Sequence, residues 1–196
     1  MELQVHPSAK ALIFDLDGTL SDSHPVHLEN WHSLGTVFGF RFDERIIYEM
    51  TGRPTIDFAK RIIEDNHLSI SPVELARMKH QAFWETVHLV RPMKKVVDIV
   101  RKYYKVLPMS VGTGASRRSA ILQLTGLDLI SFFDFIITAD DVATHKPEPE
   151  TFLRCAELMN VRPSECQVFE DGMLGMEAAR TAGMMVTDVR PYLTLP

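Results

Sequence analysis

Apolar positions along this chain follow two different rhythms. In several places a short unbroken apolar run ends at glycine, acidic or hydroxyl residues and gives way to a stretch of helical periodicity. Lys10-Ala-Leu-Ile-Phe-Asp15-Leu16 is one such run, ending in acids and Gly18. It reads as a buried parallel strand reaching the edge of its sheet. A second, Val106 to Val111, follows a helical stretch from Met93 to Tyr104 and stops at Gly112-Thr113-Gly114. Phe135 to Ala139 and Gln167 to Phe169 repeat the pattern, and Met184 to Val189 is a last candidate strand. Strands alternating with helices predict an α/β fold, a Rossmann-like parallel sheet core covered by helices on both faces. Ligands of such folds bind outside the carboxyl ends of the strands.

From Asp22 to about Val90 the alternation stops, and only helical patterns remain. Thr55 to Asn66 carries Ile56, Ala59, Ile62 and Ile63 at helical spacing. Ser71-Pro72-Val73-Glu74 opens another helix with an N-cap serine, a proline at the first helical position and a capping-box glutamate. The segment is expected to be an inserted all-helical cap domain at 22–90, lying over the end of the first strand. Residues 1–21 and 91–196 would then form one discontinuous core.

Composition narrows the classes. The 196 residues are 45% hydrophobic, enough for one sizeable core and a small second module. Lys and Arg total 21 against 26 Asp and Glu, a net charge of -5, so no broad basic surface is available to neutralise phosphate backbones and nucleic acid is excluded as the main partner. Cys155 and Cys166 are not closely spaced and are expected to be reduced, half-buried thiols. Met1 to Lys10 has no basic region followed by an apolar run, and no apolar stretch approaches membrane-spanning length. A cytoplasmic protein without membrane partners, monomeric or weakly dimeric, is expected.

The strand ends carry complementary chemistry. Asp15-Leu16-Asp17-Gly18-Thr19 sets two carboxylates at alternate positions before a glycine that permits a sharp turn. A calcium loop is ruled out, because its invariant glycine would fall on Leu20. Thr113 offers a hydroxyl and neighbouring N–H groups at a helix start, an anion site that also suits a helix N-cap. Lys146 lies in the proline-stiffened loop His145-Lys146-Pro147-Glu148-Pro149, and Glu170-Asp171 closes the fourth strand. Four carboxylates converging on one sheet edge repel one another unless a cation sits among them, and oxygen-rich ligands suit magnesium.

The ordered set Asp15-x-Asp17-Gly18-Thr19, Thr113, Lys146 and Glu170-Asp171 resembles the haloacid dehalogenase-like hydrolase superfamily, in the branch with a helical cap after the first strand. Ile13-Phe-Asp-Leu-Asp-Gly-Thr, Val111-Gly-Thr-Gly, His145-Lys-Pro and Val168-Phe-Glu-Asp are similar to the bacterial fructose-1-phosphate and 6-phosphogluconate phosphatases of the β-phosphoglucomutase-like group. The resemblance implies a Mg2+-dependent phosphatase of small phosphorylated metabolites. Asp15 would be nucleophile and metal ligand, and Asp17 general acid and then base, with its backbone carbonyl on the metal. Asp171 would ligate the metal directly and Glu170 directly or through water. Thr113 and the Gly114 N–H would hold the phosphoryl oxygens, and Lys146 would neutralise them together with Asp15.

For the cap, His27, Arg53 and Lys79 are the polar residues expected to meet substrate, each weighed against a solvated helix surface. His27 stands twelve residues after Asp15, where related sugar-phosphate enzymes place a histidine facing the site. Gly52-Arg53-Pro54-Thr55 resembles the cap's specificity loop, but mutases of the branch carry arginine where Thr55 stands. Thr19 departs from them too, since they more often have valine there. Arg117 is a candidate for a second anionic group on the substrate. His24, His27 and His32 lack the accompanying ligands of a zinc site. A sugar-phosphate monoesterase is the expected function. The alternatives are a β-phosphoglucomutase-type phosphomutase and a non-enzymatic phospho-acceptor switch like a bacterial receiver domain, which lacks a helical insert.

Overall fold

Successive residues of a strand face opposite sides, so a strand apolar throughout is stable only where both sides are covered. Ala11–Phe14 meets that condition: all four residues are fully buried in the computed structural model, which describes residues 2–192. In chain order the elements are β1 (Ala11–Phe14), β2 (Ser21–Asp22), α1 (His24–Phe38), α2 (Arg45–Met50), α3 (Thr55–Asn66), α4 (Pro72–Thr86) and β3 (Arg91–Pro92). There follow α5 (Lys94–Tyr103), β4 (Met109–Gly112), α6 (Arg117–Gly126), β5 (Phe135–Ile137), α7 (Glu150–Leu158), β6 (Cys166–Glu170), α8 (Met173–Thr181) and β7 (Met185–Asp188).

Five strands form one parallel sheet in the order β5-β4-β1-β6-β7, with Phe14 opposite Val111 on one side and Phe169 on the other. Leu12 and Phe14 pack with Val96 and Val100 of α5 and Leu124 of α6. Ala11 and Ile13 point the other way, into Phe152 and Ala156 of α7 and Ala178 and Ala179 of α8. The period-two alternation thus supplies two apolar layers, and the expected Rossmann-like sheet with helices on both faces is what forms. Because β1 is central, its carboxyl end opens between those of β4 and β6.

Strand boundaries shift from the sequence expectation where local turns intervene. β4 begins at Met109 rather than Val106, because Lys105 takes a left-handed conformation (φ +60°) and the Val106 N–H closes a turn onto the Tyr103 carbonyl. β5 ends at Ile137, since Thr138 and Asp141 cap a short 3-10 turn by exchanging side-chain and backbone hydrogen bonds. The predicted helix at Thr55–Asn66 forms with those bounds. At α4 the Ser71 hydroxyl accepts the Glu74 N–H at 3.2 Å, while the Glu74 carboxylate turns to Arg77 instead of completing the box. Cys155 and Cys166 are free and fully buried, more enclosed than the half-buried thiols expected.

Between β2 and β3 the described chain is helical throughout, and α1 to α4 enclose their own cluster, including Trp31, Leu34, Phe42, Ile47, Ile62 and Leu75. β2 and β3 pair antiparallel, Ser21 opposite Pro92, where the chain leaves and re-enters the parallel sheet. Two crossing points stitched together hold the helices over the end of β1.

Candidate active site

Asp15 is the first residue past β1; its N–H donates to the Phe169 carbonyl, which aligns it with the end of β6. Glu170 and Asp171 therefore come beside it. One carboxylate oxygen from each of Asp15, Glu170 and Asp171 lies within 4.8 Å of the other two, and all three residues are buried. Lys146 enters from its loop and donates to Asp15 Oδ1 and Glu170 Oε1, both at 2.7 Å. Glu170 Oε2 accepts the Gly172 N–H, and Asp171 Oδ1 accepts the Thr19 hydroxyl. Asp15 Oδ2, equally buried, has no hydrogen-bond partner among the described residues.

One ammonium cannot balance three buried carboxyl groups. Burial, and next the Glu170 charge, push Asp15 up to about 8, while burial, Glu170 and Asp15 hold Asp171 well above the usual range. Burial by itself would lower Lys146, but Asp15 and Glu170 outweigh it and keep the ammonium charged. A buried oxygen without a donor, in a set of hard carboxylate ligands short of positive charge, fits a divalent cation such as Mg2+. Among the described residues this is the one cluster of metal-ligating side chains, and His32 of α1 pairs with Glu44.

The turn that follows sends Asp17 into the cavity. Gly18 adopts φ +84°, and a Cβ there would lie 2.2 Å from Asp171 Oδ2, so no other residue fits. Asp17 Oδ1 accepts three hydrogen bonds, from Ser23 Oγ (2.6 Å), Gln123 Nε2 (3.0 Å) and His27 Nε2 (3.1 Å). Burial favours the protonated acid, but these donors prevail and hold Asp17 below the ordinary carboxylate range. His27 is brought down to about 4 by burial and by the charge of Lys79, and is neutral near pH 7. Its Nε2 then carries the proton given to Asp17, leaving Nδ1 to face the Lys79 ammonium, the two forming a very short contact. Lys79 is 3% exposed, not solvated, and burial brings it down to about 7. Its Nζ lies 4.7 Å from the Phe83 ring centre.

Opposite Asp17, Thr113 and Gly114 follow β4 and line the same cavity. Thr113 is not the helix cap expected: Ser116 caps α6 by accepting the Ser119 N–H, and the Thr113 hydroxyl accepts the Ala115 N–H, tightening the loop. The Gly52-Arg53 loop of the helical insert touches this turn. A Cβ at Gly114 would come within 2.2 Å of the Gly52 carbonyl oxygen, so only glycine lets the two loops close on each other. Arg53 lines the cavity, its guanidinium 3.8 Å from Asp57. Arg117 does not line it. Its guanidinium pairs with Asp141 at 2.5 Å, because α6 starts with its first turn against the 3-10 turn after β5, which removes the residue from the expected substrate contact.

Sequence reasoning missed several lining residues: the aromatic wall of Trp31, Phe58 and Phe83, with His24, His80, Ser116 and Gln123. The aromatic positions were legible only as helix core. Gln123 carried a fainter signal, a long polar residue on the helix face that also holds Ala120 and Leu124.

A buried carboxylate beside a lysine, an acid pair, a hydroxyl loop and a helical cap define a class, and the family comparison agrees with it. Residues 12–189 match the family described as haloacid dehalogenase-like hydrolase, and the chain belongs to that family. It is 41% identical over 180 residues, 91% of this chain and 95% of the relative, to a fructose-1-phosphate phosphatase of Escherichia coli. A phosphorylated carbohydrates phosphatase of Thermotoga maritima is 28% identical over 179 residues, covering 89% and 82% of the two chains. The crystal structure of β-phosphoglucomutase from Clostridium difficile superposes with a TM-score of 0.81 at 26% identity, over 92% of this chain and 84% of that one. The expectation of a phosphoric monoester hydrolase agrees with this membership and with the phosphatase relatives. No helix among the described residues is long and apolar enough to cross a membrane.

Proposed function

We propose that this protein is a Mg2+-dependent phosphatase of sugar phosphates or sugar-acid phosphates, fructose 1-phosphate and 6-phosphogluconate being the first candidates. One observation carries the chemistry: Asp15, held by Lys146, keeps a second buried oxygen free of hydrogen bonds next to Glu170 and Asp171. Asp15, the Asp17 backbone carbonyl, Asp171 and Glu170 would hold the metal, which when bound supplies the positive charge that lets an anionic ester approach these acids.

Asp15 attacks phosphorus, and the bond to the leaving oxygen breaks. Thr113, Gly114 and Lys146 hold the phosphoryl oxygens, since phosphoryl transfer needs positioning and charge neutralisation above all. Asp17 gives its proton to the leaving alkoxide from Oδ2, the oxygen left open by the three bonds on Oδ1. An arriving phosphate adds negative charge beside Asp17 and so raises its affinity for that proton. In the second half Asp17 takes a proton from the water that hydrolyses the aspartyl phosphate.

The helices of 22–90 act as a cap whose Gly52-Arg53 loop, with His27 and Lys79, presents the sugar end. Thr19 supports hydrolysis over the mutase alternative, since its hydroxyl holds Asp171 where a valine would give no such bond. Two unpaired thiols fit the reducing cytoplasm, where we place the protein as a monomer or weak dimer. The test is to incubate purified protein and magnesium with a panel of phosphorylated metabolites and to measure inorganic phosphate. Hexose phosphates and sugar-acid phosphates should rank high. Isomerised sugar phosphate with no phosphate released would establish the mutase instead.

A further inference from the structure

A long amide inside a protein core costs free energy unless both of its ends find partners. Gln123 is 1% exposed on the inner face of α6, and both ends are engaged. Nε2 donates to Asp17 Oδ1 at 3.0 Å, and Oε1 accepts the Ser21 hydroxyl at 2.8 Å. The partners dictate the orientation of the amide: Asp17 Oδ1 already accepts from Ser23 and His27, and the Ser21 hydroxyl donates, so the NH2 faces Asp17 and the carbonyl faces Ser21. Ser21 has a second acceptor in reach, the Leu16 carbonyl at 3.0 Å, but that oxygen already takes N–H bonds from Leu20 and Ser21. The single Ser21 proton therefore goes to Gln123.

The result is a chain of two aligned hydrogen bonds, Ser21 to Gln123 to Asp17, containing no ionisable member apart from its end. Ser21 belongs to β2, which pairs with β3 where the helical insert leaves and rejoins the core. α6 follows directly on the Thr113-Gly114 loop. Gln123 thus ties the turn bearing Asp17 both to the crossing point and to the helix behind the phosphoryl-binding loop. Its bond falls on the same oxygen that Ser23 and His27 occupy.

We propose that Gln123, backed by Ser21, is a positioning residue for Asp17, reserving Oδ1 for fixed donors so that Oδ2 alone faces the leaving oxygen and the attacking water. The proposal rests on Asp17 being the proton shuttle. It separates Gln123 from a buried glutamine that merely satisfies its own amide, because a positioning role matters only while Asp17 can carry a proton.

A double-mutant cycle makes the distinction, with fructose 1-phosphate as the ester whose leaving group needs a proton. Q123M keeps the side-chain volume and removes the donor. Its kcat should fall roughly 10- to 100-fold, the range for one hydrogen bond to a charged group, with KM moving less than about threefold. In a D17N background the same change should alter the rate less than about twofold, since no proton is left to position. S21A, a smaller perturbation that keeps the amide, should show a weaker kcat loss that likewise vanishes beside D17N. Melting temperatures of all variants report whether each is folded, and S21A decides the matter should Q123M fail to fold. Equal losses with and without D17N, or an undiminished kcat in Q123M, would overturn the assignment while leaving Asp17 as the shuttle. A D17N enzyme with wild-type turnover would overturn the shuttle itself, and the role of Gln123 with it.

Discussion

Lys146 Nζ stands 2.7 Å from Asp15 Oδ1, with neither side chain more than 4% exposed. At that distance and burial the lysine offsets part of the charge on Asp15, the proposed nucleophile, and leaves Oδ2 open. Asp15→Asn keeps the size and the bond from Lys146 but removes both the charge and the nucleophile. Turnover should fall by more than roughly 10³-fold, with an unchanged circular dichroism spectrum. Activity near wild type would end the aspartyl-phosphate mechanism.

Magnesium should restore activity that excess chelator has removed, because the three buried carboxyl groups otherwise repel an anionic substrate. It should also raise the melting temperature, as any ligand of the native state does, by an amount growing with its concentration. D15N, with a ligand charge missing, should show a smaller rise. Full activity in excess chelator counts decisively against the metal.

Arg53 lines the cavity from the cap and holds only a loose 3.8 Å pairing with Asp57, so it is available to a substrate. Arg53→Ala should lower kcat/KM for sugar phosphates by roughly 10-fold or more, as for one lost charged contact, and leave a small generic aryl phosphate almost unaffected. Equal losses on both would place Arg53 in general stability.

Lys79 predicts a pH-dependent stability whose sign can be worked out. Its ammonium loses its proton at about 7 in the folded protein, against 10.5 in an exposed lysine. Between these values the unfolded chain binds the extra proton, so wild-type stability rises with pH. Below about 7 both states bind it, and the cost of burying the ammonium is complete. Lys79→Met removes this term. Its stability relative to wild type, from urea unfolding, should be greatest near pH 7 and shrink towards about pH 9, by up to ~1.4 kcal/mol per pH unit. A gap that does not change with pH would show that Lys79 keeps its ordinary titration.

Much of the molecule was legible because its signals are local. Continuous apolar runs marked the five sheet strands, and helical spacing marked Thr55–Asn66 to the residue. The strand starts and ends slipped where a turn overrode propensity, as at Lys105 and Thr138. Arg117 was expected at the substrate and pairs with Asp141 instead, whereas Lys79 lines the cavity as expected but is far more buried than a helix-surface lysine. Nothing local to Arg117 announces Asp141, which lies 24 positions away and neutralises it. Nothing local to Lys79 says that the helix face it occupies is closed by Phe83 and His27.

By itself the sequence determined the fold class, the order of the elements and the identity of the acids, lysine and threonine at the strand ends. Each of these follows from periodicity, or from a residue's distance along the chain from a strand. Only the tertiary structure decided which oxygen of Asp15 stays unpartnered, how three donors gather on one oxygen of Asp17, and which charges are buried. Gln123 reaches Asp17 across 106 positions and Lys79 reaches His27 across 52. Such contacts, and the pKa shifts that desolvation imposes on them, arise from the packing of separate elements. No spacing within a single element encodes them.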